Sequence, residues 1–322
     1  GQEVVLVPNP NYYGEKPNID KVVLKQVVDG DARVMALQSG EADLNLQDIP
    51  SESFSIIQAD KNLSTEQQVS TLSYYLIENY DTPALQDINV RQALNYATNK
   101  ESIVNDLLDG YGNPATGLMS PTVPYVTEEN SKGYPYDPDK AKELLKEAGY
   151  PDGFTTTLMY SNTTANQKKA EFYKQQLSEV GIDLELNGME SAVLNEKVQG
   201  ADCAGADAEV DCYLSGWSTS TGDADWGLRP MLATESEPPM SYNISYYENE
   251  KVDQLLKDGL ATADEDKRGE IYGEVQDIVW KDLPLLCIAN DKNIWATSNN
   301  ITGVYLLGDG SIGMRNARMA AE

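Results

Sequence analysis

Hydrophobic positions along the chain alternate between the two-residue spacing of strands and the three-to-four-residue spacing of helices. Strands are predicted at 42–46, 71–78, 154–160, 182–187 and 285–296, and helices at 87–98, 137–148, 166–180, 249–261 and 265–280. The helix at 166–180 joins two strand-like runs, which is typical of a βαβ unit with a right-handed crossover. Repeated alternation of strands and helices predicts an α/β fold.

The chain length and the order of these elements predict two lobes rather than one. A chain of 322 residues is long enough for about two domains. We predict part of a first lobe at 1–69, a second lobe at 70–283 and a return into the first lobe at 284–322. Strands near 71–79 and 284–288 would connect the lobes, and paired connections of this kind form a hinge beside a ligand cleft.

The stretch 214–232, LSGWSTSTGDADWGLRPML, is the most distinctive part of the sequence. A strand that runs into Ser, Thr and Gly cannot continue its ladder, so its hydroxyls and backbone N–H groups become available to a partner. Trp217 and Trp226 can form flat apolar walls, and Asp223 and Asp225 can bind a cation or cap the next helix. A capped strand-to-helix turn with core tryptophans explains the same residues equally well.

Charge and composition exclude several classes of function. The net charge of −28 disfavours binding to phosphate backbones, although an acidic surface often serves only solubility. The chain has no histidine, which removes the commonest general base and the commonest metal ligand. No apolar run approaches the ~18 residues of a membrane span. A hydrolase using Asp223 and Asp225 as an acidic pair stays a minor alternative.

The three cysteines predict no metal site. Cys203 and Cys212 bracket a polar loop rich in Gly and Ala, and we favour a disulfide between them, which would fit an oxidising compartment. Two free thiols in a flexible loop are the open alternative. Cys287 lies in the apolar run LPLLCIA and is predicted to be a buried, unreactive thiol.

Several stretches together resemble the peptide-type (family 5) solute-binding proteins of ABC importers. They are NPNYYGEKPNID…RVMALQSGEADL at 9–44, the segment 75–97 with VRQAL, YDPDKAKELLKEAGY at 136–150, and VQDIVWKDLPLL at 275–286. The resemblance implies a two-lobed Venus flytrap fold in a monomeric, extracytoplasmic, lipid-anchored receptor that delivers a ligand to permease subunits. It implies neither a catalytic activity nor a cofactor.

The family chain is longer at its N-terminus, and this sequence begins with GQEVVLV inside a predicted strand. We therefore expect that the N-terminal part of lobe one is missing. The missing segment would form one wall of the cleft, so the resemblance implies weak ligand binding by these 322 residues alone.

The loop after Trp217 differs from that of the oligopeptide-binding members. Those members use a W-x-x-D loop whose aspartate binds the α-ammonium of a peptide, whereas Ser220 occupies the fourth position here. The run WSTSTGDADW and the following ATESEPP at 233–239 instead resemble the glutathione-binding branch. Glutathione carries two carboxylates and one ammonium, which hydroxyl donors and a carboxylate can bind.

The resemblance implies a set of ligand-binding residues on the loop and on neighbouring elements. The set is Trp217, Ser218, Ser220, Thr221, Asp223, Trp226, Tyr75, Asn79, Arg91 and Arg229. Asp223 would bind the ammonium, Trp217 would stack on the peptide backbone, and Tyr75 and Asn79 would face the cleft. As alternatives, Arg91 would pair with an acidic residue on its helix, and Arg229 would be solvated at the end of the loop.

Three functions follow from these patterns. The first is a receptor for glutathione or a similar short peptide. The second is a di- or oligopeptide receptor or sensor of the same fold, which the sequence does not separate from a transport protein. The third, the acidic-pair hydrolase, is disfavoured because residues two apart point to opposite faces of a strand.

Overall fold

A computed structural model of the chain describes residues 3–45, 49–200 and 209–320. The chain divides into two compact units, one formed by Gly1–Val69 with Lys292–Glu322 and the other by Ser70–Asp291. The elements within them alternate between strands and helices, as the hydrophobic pattern predicts. The predicted α/β class is confirmed.

The strands are β1 (Glu3–Leu6), β2 (Val22–Lys25), β3 (Leu63–Glu78), β4 (Gly112–Pro114), β5 (Phe154–Ser161), β6 (Ile182–Met189), β7 (Cys212–Ser218), β8 (Leu285–Ser298), β9 (Ile301–Thr302), β10 (Tyr305–Leu306), β11 (Ile312–Gly313) and β12 (Arg318–Met319). The helices are α1 (Gly30–Ser39), α2 (Ser51–Gln58), α3 (Ile88–Ala97), α4 (Lys100–Ser102), α5 (Pro138–Glu147), α6 (Thr164–Ser178), α7 (Ser191–Gln199), α8 (Ala224–Leu232), α9 (Glu250–Ala261) and α10 (Glu265–Asp282).

A six-stranded sheet in the order β4-β8-β3-β7-β5-β6 organises the second unit. Strand β5 is parallel to both β6 and β7, while β7 is antiparallel to β3. The predicted βαβ unit is therefore present as β5–α6–β6, because the parallel partners are joined through a helix. Strand β7, which leads into the distinctive loop, lies in the interior of this sheet.

Helices cover both faces of the sheet and form two hydrophobic cores. Successive residues of a strand point to opposite faces, so neighbouring residues of β3 belong to different cores. One core contains Tyr75, Ile77, Leu228, Leu256 and Val275, which brings α8, α9 and α10 onto one face. The other contains Leu76, Leu94, Leu145, Leu177 and Leu214, which brings α3, α5 and α6 onto the opposite face.

Side-chain caps fix where several helices begin. Asp137 accepts a hydrogen bond from the N–H of Lys140 at 2.9 Å, and Pro138 occupies the first helical position of α5. The side chain of Asp87 caps α3 in the same way through the N–H of Asn89 at 2.8 Å. These contacts satisfy N–H groups that have no partner within the helix, so the caps set the helix starts.

The described part of the first unit contains the antiparallel β1–β2 pair, two helices, the start of β3, the end of β8 and the short strand pairs β9–β12 and β10–β11. The strand predicted at 42–46 is wrong within the described residues, because only Leu44 forms an isolated bridge with Thr297. Residue 46 of that prediction lies outside the described part. Within the described ranges, no helix combines the length and apolar character required to cross a bilayer.

The predicted burial of Cys287 is confirmed, and burial raises the pKa of its thiol to about 12. Cys212 is also buried and has a free thiol among the described residues; its pKa is well above the ordinary value, chiefly because of burial. Cys203 lies outside the described residues. The Cys203–Cys212 disulfide therefore stays a prediction.

Candidate ligand-binding site

The candidate site is built on the turn between β7 and α8, which we call the bend and define as residues 218–223. The N–H of Ser220 donates to the carbonyl of Ser218 at 2.8 Å, and the N–H of Gly222 donates to the carbonyl of Thr219 at 2.9 Å. Gly222 has a φ of 71°, a left-handed conformation that glycine adopts without a steric penalty. The predicted strand end and turn are thus present.

Thr219 attaches the bend to the core of the second unit. Its side chain is buried, and it lies close to Gly227 on α8. A Cβ atom on Gly227 would lie 3.0 Å from the Thr219 hydroxyl and 2.6 Å from the sulfur of Met119. The glycine therefore permits the close approach of α8 to the bend.

Three aromatic rings lie beside the bend and form what we call the aromatic cluster, namely Trp217, Trp226 and Tyr242. The Trp217 ring centroid lies 5.8 Å from that of Trp226 and 4.8 Å from that of Tyr242. The indole N–H of Trp217 donates to the carbonyl of Trp226 at 2.8 Å, which fixes the indole relative to α8. Both tryptophans are half-buried and Tyr242 is 43% exposed, so the cluster presents a rigid aromatic surface.

Hydroxyl groups supply the polar part of the bend. Ser220 and Thr221 are exposed, and Thr221 accepts a hydrogen bond from the N–H of Asp223 at 3.3 Å. The Ser218 hydroxyl lies 3.0 Å from that of Thr71 on β3, so these two groups share a hydrogen bond. The exposed hydroxyls can donate to a carboxylate or a carbonyl oxygen of a ligand.

Asp223, the last residue of the bend, and Asp225 on α8 each bind an arginine. Asp223 caps α8 by accepting the N–H of Asp225 at 2.8 Å, and its two oxygens accept from Nη2 of Arg268 at 2.6 and 2.7 Å. Arg229 binds Asp225 through Nε at 3.1 and 3.0 Å and through Nη2 at 2.8 Å. The hydrogen bonds to Asp225 raise the pKa of the Arg229 guanidinium.

These ion pairs change the predicted chemistry of the loop. Asp223 is the residue assigned to the ligand ammonium, but both of its oxygens already accept from the guanidinium of Arg268. Asp225 is buried and is held by Arg229, rather than free to act with Asp223 as an acidic pair. Arg229 is therefore not a solvated end to the loop, because it pairs with the acidic residue four positions earlier on its own helix.

Tyr75 and Asn79 do not present their polar groups to a ligand, which corrects the predicted orientation. Tyr75 is 2% exposed, and its hydroxyl donates to the carbonyl of Leu118 at 2.6 Å. Asn79 is buried; its amide donates to the carbonyl of Val210 at 2.7 Å and its oxygen accepts the N–H of Asp81 at 2.8 Å. Tyr75 lies within β3, whose two faces are both covered by helices. Asn79 directly follows that strand, and its side chain bonds to the main chain around it.

Arg91 is also a structural residue rather than an open cation. Its guanidinium donates to the carbonyls of Leu85, Gln86 and Asp282 at 2.6, 2.9 and 2.9 Å, and lies 4.1 Å from the ring centroid of Tyr80. A buried guanidinium requires acceptors around it, and the main chain provides them here. The alternative pairing of Arg91 with an acidic residue on its own helix is also wrong within the described residues.

A separate cavity of 330 Å³ is lined by Tyr80, Asp81, Glu237, Tyr246 and Glu248. Burial, together with the neighbouring charges of Glu248 and Asp81, raises the pKa of Glu237. In the part of the chain that the structure describes, no three acidic or cysteine side chains are grouped closely enough to hold a metal ion.

The site residues that the sequence missed are Tyr242 and Arg268. Tyr242 approaches Trp217 although the two residues are far apart along the chain, and Arg268 comes from α10. A local periodic pattern carries no information about such long-range contacts. The Arg229–Asp225 pair could have been found, because a four-residue spacing of opposite charges on a helix indicates a side-chain pair.

Comparison with known families agrees with this architecture. Residues 1–238 match the model described as bacterial extracellular solute-binding proteins, family 5 middle. The match covers well over half of the 322 residues. The chain belongs to family 5 of the bacterial extracellular solute-binding proteins, which confirms the resemblance found in its sequence motifs.

Individual relatives are named as glutathione-binding proteins or were solved as peptide-binding proteins with a peptide bound. The glutathione-binding protein GsiB of Salmonella choleraesuis (strain SC-B67) is 37% identical over 294 residues, covering 91% of this chain and 56% of that protein. The ABC transporter-associated periplasmic binding protein DppA of Helicobacter pylori, solved in complex with peptide STSA, has a TM-score of 0.84 and 26% identity, with 99% of this chain and 60% of that chain covered.

A third relative is a dipeptide-binding protein from Pseudoalteromonas sp. SM9913, solved in complex with Met-Leu. It has a TM-score of 0.82 and 25% identity, and the match covers 99% of this chain and 62% of that chain. The present chain thus spans between 56% and 62% of the length of these three relatives.

Proposed function

We propose that this chain is part of an extracytoplasmic receptor of an ABC importer, and that the receptor binds glutathione or a similar short peptide at the bend. The observation that carries the proposal is the rigid aromatic cluster beside exposed hydroxyls, in a family 5 chain. The similarity to proteins named glutathione-binding supports this ligand class.

The chemistry of the bend suits a ligand with carboxylates and peptide planes. Ser220 and Thr221 have exposed hydroxyls that can donate to a ligand carboxylate. Because arginines neutralise both nearby aspartates, the bend does not repel such a group as two free carboxylates would. Trp217 and Tyr242 offer flat apolar faces against which a peptide plane can pack.

Five of the predicted residues keep a proposed ligand role, and Tyr242 joins them. They are Trp217, Ser218, Ser220, Thr221 and Trp226. Tyr75, Asn79, Arg91 and Arg229 are reassigned to structural roles by their contacts. The ammonium of the ligand has no assigned partner in this proposal, since Asp223 is held by Arg268.

The cellular setting belongs to the same proposal. The receptor would act as a monomer outside the cytoplasm, be held to the membrane by a lipid anchor, and deliver its ligand to permease subunits. The family description, which is of extracellular solute-binding proteins, supports the compartment. No chemical turnover is expected, because family 5 consists of binding proteins.

The second candidate is a di- or oligopeptide receptor, which the peptide-bound structural relatives favour. Ser220 separates the two candidates, because an aspartate there would provide a partner for a peptide ammonium. In the proposed glutathione receptor, Ser220→Asp should weaken glutathione binding by about tenfold through repulsion of the ligand carboxylate.

The experiment measures the affinity of the full natural chain for glutathione and for short peptides by calorimetry. The matched control is Ser191→Asp, which adds the same charge at another exposed serine of the second unit. Tighter binding of short peptides than of glutathione by the unmodified chain would favour the second candidate. Binding of neither ligand class would reject the proposed function.

A further inference from the structure

We propose that Arg268 is a positioning and selectivity residue, which holds the bend in place and neutralises Asp223 so that the site accepts an anionic ligand group. This inference rests on the proposed function, because it concerns the ligand preference of the same site. It also makes a claim about the ligand-free protein that can be tested without any ligand.

Contacts with the end of α9 and with α10 hold the guanidinium of Arg268 in addition to its contact with the bend. Nη1 donates to the carbonyl of Gly259 at 2.7 Å and to that of Thr262 at 3.4 Å, at the end of α9. The guanidinium carbon lies 5.0 Å from the ring centroid of Tyr272, on the same helix as Arg268. The side chain of Arg268 is 12% exposed, so this cation is held in place beneath the surface.

The second amino group of the guanidinium reaches Asp223. Nη2 lies 2.6 Å from Oδ1 and 2.7 Å from Oδ2, and the Asp223 side chain is 46% exposed. Asp223 is the last residue of the bend and the cap of α8. The ion pair therefore ties the exposed bend to the corner between α9 and α10, across 45 residues of sequence.

The same carboxylate also organises the bend internally. Its Oδ1 accepts the N–H of Asp225 at 2.8 Å, while the N–H of Asp223 donates to the hydroxyl of Thr221 at 3.3 Å. A carboxylate held by a fixed guanidinium has less rotational freedom than a free one, and its hydrogen-bonded neighbours are restrained with it. Arg268 thereby positions the hydroxyls that we assign to the ligand.

The charge of Arg268 has a separate consequence for selectivity. Without the guanidinium, Asp223 would present an unpaired negative charge at the surface of the bend. Such a charge repels a ligand carboxylate and attracts a ligand ammonium. The Arg229–Asp225 pair has no comparable role, since Asp225 is buried within α8 and does not face the ligand at the surface.

The test uses Arg268→Gln, Asp223→Asn and the double variant in the full natural chain, with glutathione and its diethyl ester as ligands. Arg268→Gln should weaken glutathione binding by about tenfold and change binding of the uncharged-carboxyl ester by less than about threefold. The double variant, in which neither residue is charged, should recover glutathione affinity to within about threefold of the unmodified chain. Lys251→Gln on α9 removes one positive charge from an exposed pair with Glu274 and is the matched control.

Equal losses for the two ligands, or a double variant as weak as Arg268→Gln, would overturn the selectivity claim. Arg268→Lys keeps the charge and provides a second variant if the glutamine substitution impairs folding. It should retain the preference for glutathione over the ester, and loss of that preference would also contradict the claim.

Amide hydrogen exchange in the ligand-free protein separates this inference from the proposed function. Arg268→Gln should accelerate exchange at residues 219–222 by about tenfold or more, whereas Lys251→Gln should leave it unchanged. If the unmodified chain binds no ligand while exchange accelerates as expected, the proposed function fails and the positioning role stands. Unchanged exchange in Arg268→Gln would reject the positioning role whatever the ligand data show.

Discussion

At the residue scale, Glu78 of the second unit is an acidic side chain buried without a counter-charge bonded to it in the described part of the chain. It lies at the end of β3 with 0% exposure, and neither carboxylate oxygen has a hydrogen-bond partner in the described part of the chain. Burial raises its pKa well above the ordinary value, while the nearby Arg91 opposes that shift. The folded protein therefore keeps a proton on Glu78 that the unfolded chain releases at a lower pH.

This difference makes the contribution of Glu78 to stability depend on pH. Stability is greatest below the ordinary carboxyl pKa and falls as the pH rises toward the raised pKa of the folded state, by about 1.4 kcal/mol per pH unit. Glu78→Gln removes the titration, so the stability of the variant relative to the unmodified chain should rise at this rate as the pH increases above the ordinary carboxyl pKa. Denaturant unfolding at a series of pH values measures the difference.

The control for this prediction is Glu147→Gln, which changes an exposed carboxyl on α5. Its stability relative to the unmodified chain should vary little over the same range. A difference between Glu78→Gln and the unmodified chain that does not change with pH would show that Glu78 is not protonated in the folded state.

At the element scale, α8 depends on a charge pair within one helix. Asp225 is buried, and its carboxylate is paired with the guanidinium of Arg229, which lies one helical turn later on α8. Removing one partner of a buried pair leaves an uncompensated charge, which costs far more free energy than losing an exposed pair. This helix carries the aromatic cluster through Trp226, so its integrity also sets the geometry of the site.

Arg229→Met should lower the free energy of unfolding by about 3 kcal/mol, because it leaves Asp225 buried without its counter-charge. The double variant Arg229→Met with Asp225→Asn should be more stable than Arg229→Met alone. Lys140→Met, which breaks an exposed i,i+3 pair with Glu143, is the matched control and should leave the free energy of unfolding little changed. Equal costs for Arg229→Met and Lys140→Met would contradict the assigned role of the pair.

The elements of the second unit were largely predictable because periodicity and caps are local properties. The start of α5 at Asp137-Pro138 and the strand end near Trp217 follow from residues adjacent in sequence. The partners of the bend were not predictable, since Arg268 reaches Asp223 only after α9 and α10 have packed against α8. The orientation of Tyr75 was not predictable because the residues adjacent to it in sequence do not reveal that helices cover both faces of β3.

At the scale of the whole molecule, the net charge of −28 is the dominant physical feature. Repulsion among many surface carboxylates opposes the compact state. Salt screens this repulsion, since the Debye length falls from about 10 Å at 0.1 M to about 3 Å at 1 M ionic strength.

Thermal unfolding in KCl should therefore occur at a rising temperature as the salt concentration increases from 0.05 to about 1 M. Circular dichroism at fixed pH measures the midpoint. Uncharged sucrose at matched osmolality provides the control, because it alters hydration without screening charge. A midpoint that stays constant or falls with KCl would show that charge repulsion does not limit the stability of the folded chain.

The central claim is that the bend and the aromatic cluster bind glutathione or a similar short peptide. Titration calorimetry of glutathione into the full natural chain, its Trp217→Ala variant and a Trp280→Ala control tests this most directly, because both tryptophans are half-buried in the second unit but only Trp217 belongs to the cluster. We predict saturable binding with one ligand per chain, weakened at least about tenfold by Trp217→Ala and little changed by Trp280→Ala. Binding unaffected by Trp217→Ala, or no binding of glutathione or short peptides by the unmodified chain, would contradict the account.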